Sequence, residues 1–549
     1  MTVRHSSLFL ACTIAIAGLA AGSSPLFAGP LGVSATSEDT WITTSTQVHE
    51  LRADSSVLGI ASMTKPLHVE IALRMQNRDL LDEFVANQHN PTHFYYKAAL
   101  QPEDVIAAFS PSDEQAQAVV DHLRAAGFTN ISVAANRLLV SADGTTAAVQ
   151  TAFQARIADV VTGQGQRVFA NIDGAKVPAA LGGTVLAVLG LQTESVAHTM
   201  AKPGPDPFAG KPGGGSAGVV GHNPTAFASI YGAGSAPTAS NVTVGIIAEG
   251  NLTATLSDLT KFTSTNGLPA VTTQTVVVNG ASTDTSGTAE WDLDSQDIVG
   301  ITGGVAKLVF YDAHSLSDTD LTPTYNKAVI DNVAKVINIS LGECETSASN
   351  SGAMAADDQI FAAAQAQGQT FSASSGDSGA NECGHGRGTT PSYPASSPYL
   401  VAVGGTTLTT TGTGNTTWNG ETVWSGTGGS PSTVEPRPSW QTSITGTKRG
   451  VPDVAFDADP NSGAQIYVNG SLAQYGGTSL ASPLFVGTWA RMLSGKPSLG
   501  FAAPHLYTLS SSVYHDVTSG NNSGETATVG WDYCTGFGSM LIGAAYNAL

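Results

Sequence analysis

The spacing of apolar and polar positions divides the chain into two parts of different texture. In residues 33–198, an alternating stretch at 67–73 predicts a strand, and the spacing at 112–127 predicts an amphipathic helix that ends at Gly127. The same patterns predict further helices at 80–88, 102–109 and 145–153 and a second strand at 131–140. A few strands mixed with helices indicate an α+β region whose small sheet is covered on one face.

From residue 223 onward, short continuous apolar runs are separated by stretches with helical spacing. The apolar runs predict buried strands at 242–248, 307–311, 335–339, 370–373 and 399–403. Helices are predicted between several of them, at 288–300, 321–332 and 351–367. This alternation predicts an α/β fold with a mostly parallel sheet and helices on both faces. In such sheets, active sites form outside the carboxyl ends of the strands.

A stretch rich in Pro and Gly at residues 202–216 separates the two textures. Its composition predicts an exposed, unpacked segment of the kind that proteases cut. At the N-terminus, an apolar run over 8–21 is followed by small residues ending at Ala28, which predicts a secretory signal peptide. We therefore expect a signal peptide at 1–28, a propeptide domain at 29–200, a cleavable linker at 201–222 and a mature domain at 223–549.

Acidic residues outnumber basic ones by 43 to 23, which gives a net charge of −20. Such a chain lacks the clustered Lys and Arg that phosphate binding requires, so we exclude a nucleic-acid partner. No later apolar run has the length of a transmembrane helix, so we expect no membrane association once the signal peptide is removed. Because carboxylates lose their charge near pH 4, self-repulsion would fall in an acidic medium, which suits a protein that works in one.

The most informative short stretch is Gly476-Gly477-Thr478-Ser479, which opens a run with helical spacing from 479 to 493. Two glycines permit a close approach of the backbone, and the free N–H groups of a helix N-terminus favour an anion. Acyl transfer to a serine generates such an anion, the tetrahedral oxyanion. Ser479 is therefore a candidate nucleophile, and the alternative is that Thr478 or Ser479 only caps the helix.

A serine nucleophile needs a base, and the mature domain offers both histidines and carboxylates. Its five histidines are His222, His314, His385, His505 and His515. None has the setting of a subtilisin-type base, and a histidine is protonated in acid. Glu290 and Asp294 lie four apart at the start of a predicted helix, so they share a face and can share a proton. Asp377 follows a predicted strand in a Gly-rich turn. Taken singly, Glu290 and Asp294 also fit a solvated helix start, and Asp377 also fits an ordinary turn residue.

Together these stretches resemble the sedolisin family, the serine-carboxyl peptidases. Four motifs occur in the family's order: Glu290-x-x-x-Asp294, Gly376-Asp377-Ser378-Gly379, Tyr393-Pro394 leading to Gly404-Gly405-Thr406, and Gly477-Thr478-Ser479-x-x-x-Pro483. The resemblance implies that Ser479 is the nucleophile, that Glu290 is its general base with Asp294 behind it, and that Asp377 sits in the oxyanion hole. It also implies a subtilisin-like fold, preceded by an α+β ferredoxin-like propeptide domain that acts as chaperone and intramolecular inhibitor.

The C-terminal stretch over residues 515–536 resembles the calcium loop of the same family. The implied ligands of one Ca²⁺ ion are the side chains of Asp516 and Asp532 and the backbone carbonyls of Val517, Thr528 and Gly530. Val517 and Thr528 stand where the family usually has Ile and Gly. Ligation through the backbone tolerates the first change easily, whereas Thr528 is the departure that bears on carbonyl geometry.

Three cysteines remain once the signal peptide is removed: Cys344, Cys383 and Cys534. In an exported protein this number suggests one disulfide and one free thiol. Some family members join the first two positions, so the resemblance implies a Cys344–Cys383 disulfide that ties down the Asp377 loop, and a buried free thiol at Cys534. Arg387 is either a cation that meets an acidic substrate side chain or a solvated loop residue.

These features predict a secreted, extracellular endopeptidase, passing the periplasm in transit, that hydrolyses proteins and peptides in acid. We expect a monomer that is made as a self-processing precursor. One alternative is a subtilisin-type protease with a histidine base, active near neutral pH. The other is a catalytically inactive relative that acts as a secreted binding protein, against which all four catalytic positions are filled.

Overall fold

An antiparallel sheet of four strands organises the N-terminal part of the chain in this computed structural model, which describes residues 40–207, 219–384 and 388–549. The strands lie in the order Thr129–Val133, Leu139–Thr145, Pro66–Leu73 and Val185–Leu189. Helices connect them in a βαββαβ sequence, which is the ferredoxin-like arrangement that the family resemblance implied. The predicted signal peptide at 1–28 lies outside the described residues.

Four helices and two smaller β arrangements complete this region. The helices are Arg78–Asn87, Pro102–Phe109, Asp113–Ala125 and Thr146–Phe153. A second sheet joins Ser56–Ile60, Ile157–Val161 and Arg167–Asn171, and a separate pair joins Trp41–Thr43 and Lys176–Pro178. The single strand predicted at 131–140 is wrong: two strands meet at a turn in which Arg137 adopts a φ of 55° and Asn136 accepts a hydrogen bond from the N–H of Leu138.

A mostly parallel sheet of eight strands forms the centre of the C-terminal region. Its order is Thr273–Val277, Val305–Ala313, Ala239–Glu249, Val336–Ile339, Thr370–Ser374, Val401–Thr411 and Thr417–Val423, with Val454–Asp457 also pairing to Val401–Thr411. Among these pairings, only that of Val401–Thr411 with Thr417–Val423 is antiparallel. The sheet confirms the predicted α/β architecture.

Helices surround this sheet, and short β pairs lie at its margins. The helices are Phe227–Ile230, Thr253–Thr265, Thr288–Thr302, Asp318–Asp331, Glu345–Ser351, Ala353–Ala366, Thr478–Gly495, Ala503–Leu506 and Ile542–Ala548. Marginal pairs join Ser430–Pro436 with Lys448–Val451, and Tyr514–His515 with Ser539–Met540. The helix predicted at 351–367 is present as Ala353–Ala366, and it begins after Gly352, whose left-handed φ of 86° ends the short helix Glu345–Ser351.

The two regions share a hydrophobic core as well as having interiors of their own. Leu81 and Phe84, on the helix Arg78–Asn87, belong to the same buried cluster as Ile360 and Phe361 on the helix Ala353–Ala366. Polar contacts cross the boundary too, since Gln359 donates to the carbonyl of Leu73 at 2.8 Å. The N-terminal region is therefore packed directly against the C-terminal region.

The expectation that the stretch at 202–216 has no packed structure is wrong at its first residues, and the chain just after this stretch is paired as well. Lys202–Pro203 pairs with the strand Ser471–Gly476, and His222 forms a β-bridge with Ala464. The pairing is made by backbone groups, which Gly residues and the carbonyl of Pro also supply. A high Pro and Gly content therefore does not exclude pairing with a neighbouring strand. Residues 208–218 lie outside the described part of the chain. Within the described ranges, no helix combines the length and apolar character needed to cross a membrane.

Candidate active site

Ser479 occupies the second position of the helix Thr478–Gly495 and is fully buried. The residue before the helix, Gly477, has a φ of 98°, a left-handed conformation that L side chains rarely adopt. The Ser479 hydroxyl donates to the carbonyl of Ser340 at 3.4 Å, a long hydrogen bond. At the first turn of this helix the Thr478 N–H donates to Asp377 and the Leu480 N–H to the Gly477 carbonyl.

Glu290 and Asp294 lie one turn apart on the helix Thr288–Thr302, and both are buried. A solvated helix start, the alternative explanation for this pair, is therefore wrong. Burial, followed by the neighbouring Asp294, raises the pKa of Glu290, while the Ser479 hydroxyl and the N–H of Ala201 act in the opposite direction. Burial also raises the pKa of Asp294. The two carboxyls can thus hold a proton between them and titrate as a pair.

A chain of hydrogen bonds fixes Asp294 to the central sheet. The Ser340 hydroxyl donates to Asp294 Oδ1 at 2.6 Å, and Asn338 Nδ2 donates to the same hydroxyl at 2.8 Å. Ser482, one turn beyond Ser479 on its helix, donates to Asn338 Oδ1 at 2.8 Å. We did not predict these residues, although Ser340 directly follows the strand Val336–Ile339, where the topology of the sheet predicts functional side chains.

Asp377 follows the strand Thr370–Ser374 and lies at the start of the Ser479 helix. Its Oδ1 accepts hydrogen bonds from the N–H and the hydroxyl of Thr478, both at 2.8 Å. Its Oδ2 is buried and has no hydrogen-bond partner among the described residues. Burial raises the pKa of Asp377 to about 6, against the opposing effect of the Thr478 hydrogen bonds. Below that pH the carboxyl is protonated and can donate a hydrogen bond to an oxygen in the site.

The backbone of the N-terminal region enters this site, which the sequence did not predict. Both Met200 N–H and Ala201 N–H donate to Glu290 Oε2, at 2.9 and 2.7 Å. A Cβ on Gly477 would lie 2.0 Å from the Met200 carbonyl oxygen and 2.8 Å from Asp377 Oδ2. A glycine is therefore required at position 477 for this backbone to approach, whatever its φ.

The described histidines of the mature domain are engaged elsewhere. His515 stacks on Trp418 with ring centroids 3.8 Å apart, and His505 meets His89 at 5.0 Å. His222 lies edge-on to Phe227 at 5.7 Å, and His314 acts electrostatically on Glu249 and Asp312. His385 and Arg387 lie outside the described residues. No described imidazole hydrogen bonds to Ser479, which weakens the histidine alternative.

The predicted disulfide between Cys344 and Cys383 is present, and Cys534 is a free, buried thiol, as expected. Beside Cys383, Glu382 accepts a hydrogen bond from the N–H of Ser378 at 2.8 Å and so braces the Asp377 turn. Burial raises the pKa of Glu382 to about 8, and the charge of Asp377 adds to this effect. Glu382 is a further acidic residue of the site that sequence analysis did not identify.

The predicted calcium loop brings two carboxylates to one short segment. Asp516 Oδ2 accepts from the N–H of Gly530 and Asp532 Oδ2 from the N–H of Thr528, both at 2.9 Å. Within the described residues, no donor reaches the carbonyl oxygens of Val517, Thr528 or Gly530. Carboxylates combined with free carbonyls are the donor set that calcium prefers, so the residues fit the ion. The described chain has no group of three His, Cys, Asp or Glu spaced to hold a metal, so carbonyls would have to supply the remaining ligands.

Comparison with known proteins gives two family matches. Residues 53–194 match the family described as "Pro-kumamolisin, activation domain". Residues 287–531 match the subtilase family. The first match falls on the N-terminal ferredoxin-like region, and the second contains all four predicted catalytic positions.

Similar full-length proteins include sedolisin from Pseudomonas sp. (strain 101), which is 46% identical over 523 residues, covering 90% of this chain and 88% of that protein. Xanthomonalisin from Xanthomonas sp. (strain T-22) is 45% identical over 554 residues, covering 90% of this chain and 66% of that protein. A solved structure of Pseudomonas sedolisin, described as a serine-carboxyl proteinase complexed with two molecules of pseudo-iodotyrostatin, is 51% identical. The match covers 60% of this chain and 98% of the sedolisin chain, with a TM-score of 0.58.

Proposed function

Because the chain belongs to the sedolisin family of serine-carboxyl peptidases and carries an activation domain, we propose that Ser479, Glu290, Asp294 and Asp377 perform its peptide hydrolysis. The observation that carries this assignment is the buried Oδ2 of Asp377, which lies beside Gly477 without a partner among the described residues. An unsatisfied buried carboxyl at the start of the Ser479 helix has a clear use as a donor to an oxyanion.

In the proposed reaction, Ser479 Oγ attacks the scissile carbonyl carbon while Glu290 takes the hydroxyl proton. The tetrahedral oxyanion receives hydrogen bonds from protonated Asp377 and from a backbone N–H at the helix start. Glu290 then passes the proton to the leaving amine, and a peptidyl ester remains on Ser479. Water activated by Glu290 hydrolyses that ester, which restores the free serine.

The role we assign to Asp294 is to position Glu290 and control its proton. Ser340, which itself accepts a hydrogen bond from Asn338, anchors the Asp294 carboxyl at the end of a central strand. Its charge raises the pKa of Glu290, so the pair keeps one proton under acidic conditions. Asp377 therefore favours activity in acid, since it acts only while protonated, whereas full protonation of the Glu290–Asp294 pair limits activity at lower pH.

We further propose that the enzyme is a secreted monomer whose activation domain inhibits it before processing. The net charge of −20 and the apolar run at residues 8–21 support export to an acidic medium. The proposed domain limits, 29–200 and 223–549, agree with the activation-domain match at 53–194. They agree as well with the share of the chain covered by the solved sedolisin structure.

One calcium ion, held by Asp516, Asp532 and the carbonyls of Val517, Thr528 and Gly530, is the cofactor that we propose. When bound, it would balance the two carboxylates and brace the C-terminal loop. Asp532 already orders that loop by itself, since its Oδ1 accepts from the N–H groups of Cys534 and Thr535 at 2.8 and 2.9 Å. The ion would thus have a structural role rather than a chemical one.

Casein digestion at pH 3 to 4 by the processed wild-type enzyme and by a Ser479→Ala variant tests the proposal. We expect hydrolysis by the first and none by the second. A folded wild-type protein without activity would favour the inactive binding protein instead. Activity that peaks near neutral pH would favour a histidine base.

A further inference from the structure

Residues 198–203 cross the active site as an extended strand between two strands of the peptidase. On one side His198 pairs with Gly342 and Thr199 with Leu341. On the other, Lys202 pairs with Gly476 and Pro203 with Tyr475. Both pairings are antiparallel, so the segment is held as a peptide substrate adding to a sheet edge would be held. The two residues between the pairings, Met200 and Ala201, lie at the catalytic centre.

The peptide bond between Met200 and Ala201 lies between the proposed oxyanion donor and the proposed general base. The Met200 carbonyl oxygen and Asp377 Oδ2 converge on the space beside Gly477. The Ala201 nitrogen, which would become the leaving amine, donates to Glu290 Oε2 at 2.7 Å. The carbonyl thus faces the proposed oxyanion donor, and the nitrogen faces the residue that must protonate it.

The side chain of Met200 is buried in a pocket on the same side of the site. Its sulfur accepts a hydrogen bond from the hydroxyl of Ser374 at 3.2 Å and lies 3.7 Å from the hydroxyl oxygen of Thr478. Its terminal methyl reaches Gly342, where an added Cβ would come within 2.7 Å. A side chain that passes these hydroxyls and ends at a glycine has to be long and unbranched, and a β-branched one is shorter and stiffer.

Lys202, on the other side of the bond, faces acidic groups. Its charge opposes, to a small extent, the rise that burial causes in the pKa of both Asp377 and Glu382. The segment therefore matches the site at three points: an apolar side chain before the bond, the bond itself, and a cation after it.

We propose that the peptide bond between Met200 and Ala201 is the first bond that the precursor cuts, with its own Ser479. This inference rests on the proposed function and adds the processing site to it. Ser479 Oγ attacks the Met200 carbonyl carbon, and its proton passes through Glu290 to the Ala201 nitrogen as the C–N bond breaks. Water then hydrolyses the Met200 ester, which leaves a carboxylate on Met200 and a new N-terminus at Ala201.

Intramolecular cleavage at this bond has two measurable signatures. Full-length precursor purified at neutral pH is brought to pH 4, and the products are identified over time by intact-mass and N-terminal peptide mass spectrometry. We expect a fragment that begins at Ala201 to appear first, at a rate that a tenfold dilution leaves unchanged. An earlier fragment with another N-terminus, or a rate that falls with dilution, would overturn the assignment.

Matched substitutions test the contacts separately. Ala201→Pro removes the N–H that donates a hydrogen bond to Glu290, whereas Ala201→Ser retains this N–H. Met200→Val places a branched side chain in the pocket, whereas Met200→Leu does not branch at Cβ. We expect Ala201→Pro to abolish cleavage at this position and Met200→Val to slow it by about 10-fold or more, with both controls near wild type. Equal first cleavage in all four variants would contradict the inference.

Two controls separate failure of this inference from failure of the proposed function. Trace mature wild-type enzyme is added to the Ala201→Pro precursor, which can then be cut elsewhere in the linker. Casein hydrolysis above that of the same amount of added enzyme alone shows that the variant is folded and that only the first cleavage was blocked. A wild-type precursor that neither trims itself nor digests casein would instead reject the catalytic assignment itself.

Discussion

The imidazole of His89, in the activation domain, meets that of His505, in the peptidase, edge to face with ring centroids 5.0 Å apart. His89 also bonds to the carbonyl oxygen of Phe501 at 3.1 Å. Burial, followed by the charge of His505, lowers the pKa of His89 to about 4. Burial lowers the pKa of His505 too, and Lys97 adds to this effect. Each of these groups becomes or stays cationic in acid.

This pair predicts that acid weakens the docking of the activation domain. A histidine released to solvent takes up a proton near pH 6.5, whereas buried His89 does so only near pH 4. Docking is therefore favoured above pH 6.5, and this contribution is lost as the pH falls toward 4. In the Ser479→Ala precursor, which does not process itself under our proposal, His89→Gln should reduce the loss of thermal stability between these pH values.

The control for that experiment is His122→Gln, because His122 bonds to the Ala152 carbonyl within the activation domain and does not face the peptidase. Melting temperatures of the two variants are compared with the parent at each pH, so that pH effects of other groups cancel. If His89→Gln follows the parent at every pH, the pair does not contribute to acid sensitivity.

Asp377 should set the upper pH limit of activity. Its pKa of about 6 means that the donor form is lost as the pH rises through that value, and kcat should fall with it. Asp377→Ala should lose about 10²–10³ in kcat, as removal of an oxyanion donor does elsewhere. Asp377→Asn can donate at any pH, so its residual activity should not fall across this limb. Near-normal turnover by Asp377→Ala would remove the residue from the mechanism.

Ser340→Ala should change the lower pH limit. Without the hydroxyl, Asp294 Oδ1 loses its 2.6 Å hydrogen bond, so the Glu290–Asp294 pair holds its proton to a higher pH. We expect the acid limb of the kcat/KM profile to move upward by on the order of one pH unit. The matched control is Ser462→Ala, which removes a similar bond to a different buried carboxylate, Asp457, at 2.6 Å. An unchanged acid limb in Ser340→Ala would mean that the network does not tune the base.

Calcium should stabilise the folded enzyme without being needed for the chemical steps. Saturation at 100 times the dissociation constant contributes about 2.7 kcal/mol to the free energy of unfolding. Asp516→Asn removes one ligand charge, so chelation should lower the melting temperature of the wild type but have little further effect on this variant. Calorimetry in the presence and absence of added calcium measures both. A wild-type melting temperature that ignores chelation would contradict the proposed ion.

Sequence analysis predicted those parts of the molecule whose evidence is local. Strands such as Val336–Ile339 and Thr370–Ser374 are continuous apolar runs, and the motifs around Glu290, Asp377 and Ser479 each lie within a few residues. Of these three residues, only Asp377 follows a strand of the predicted sheet, whereas Glu290 and Ser479 are carried by the helices Thr288–Thr302 and Thr478–Gly495. The disulfide followed from family resemblance rather than from spacing, and the structure contains it.

The features that were missed depend on contacts between distant segments. Residues 198–203 were assigned to a domain end and an unpacked linker, because nothing in their composition indicates that they pair with strands at 341–344 and 471–476. Ser340 and Asn338 lie in an otherwise apolar run, where hydroxyls and amides are easily taken for core packing. Their role becomes visible only when the helix Thr288–Thr302 is placed above them.

The Cys344–Cys383 bridge joins the strand that receives residues before the processed bond to the loop that holds the proposed oxyanion donor. Disulfides exchange through thiolates, which are scarce in acid. The free thiol of Cys534 does not attack the disulfide either, because burial raises its pKa to about 12 and keeps it protonated. In the medium where the enzyme is expected to work, this covalent tie is therefore chemically inert. A bridge formed by oxidation during export would therefore persist for the lifetime of each molecule. It would keep the strand Leu341–Cys344 joined to the loop that holds Asp377.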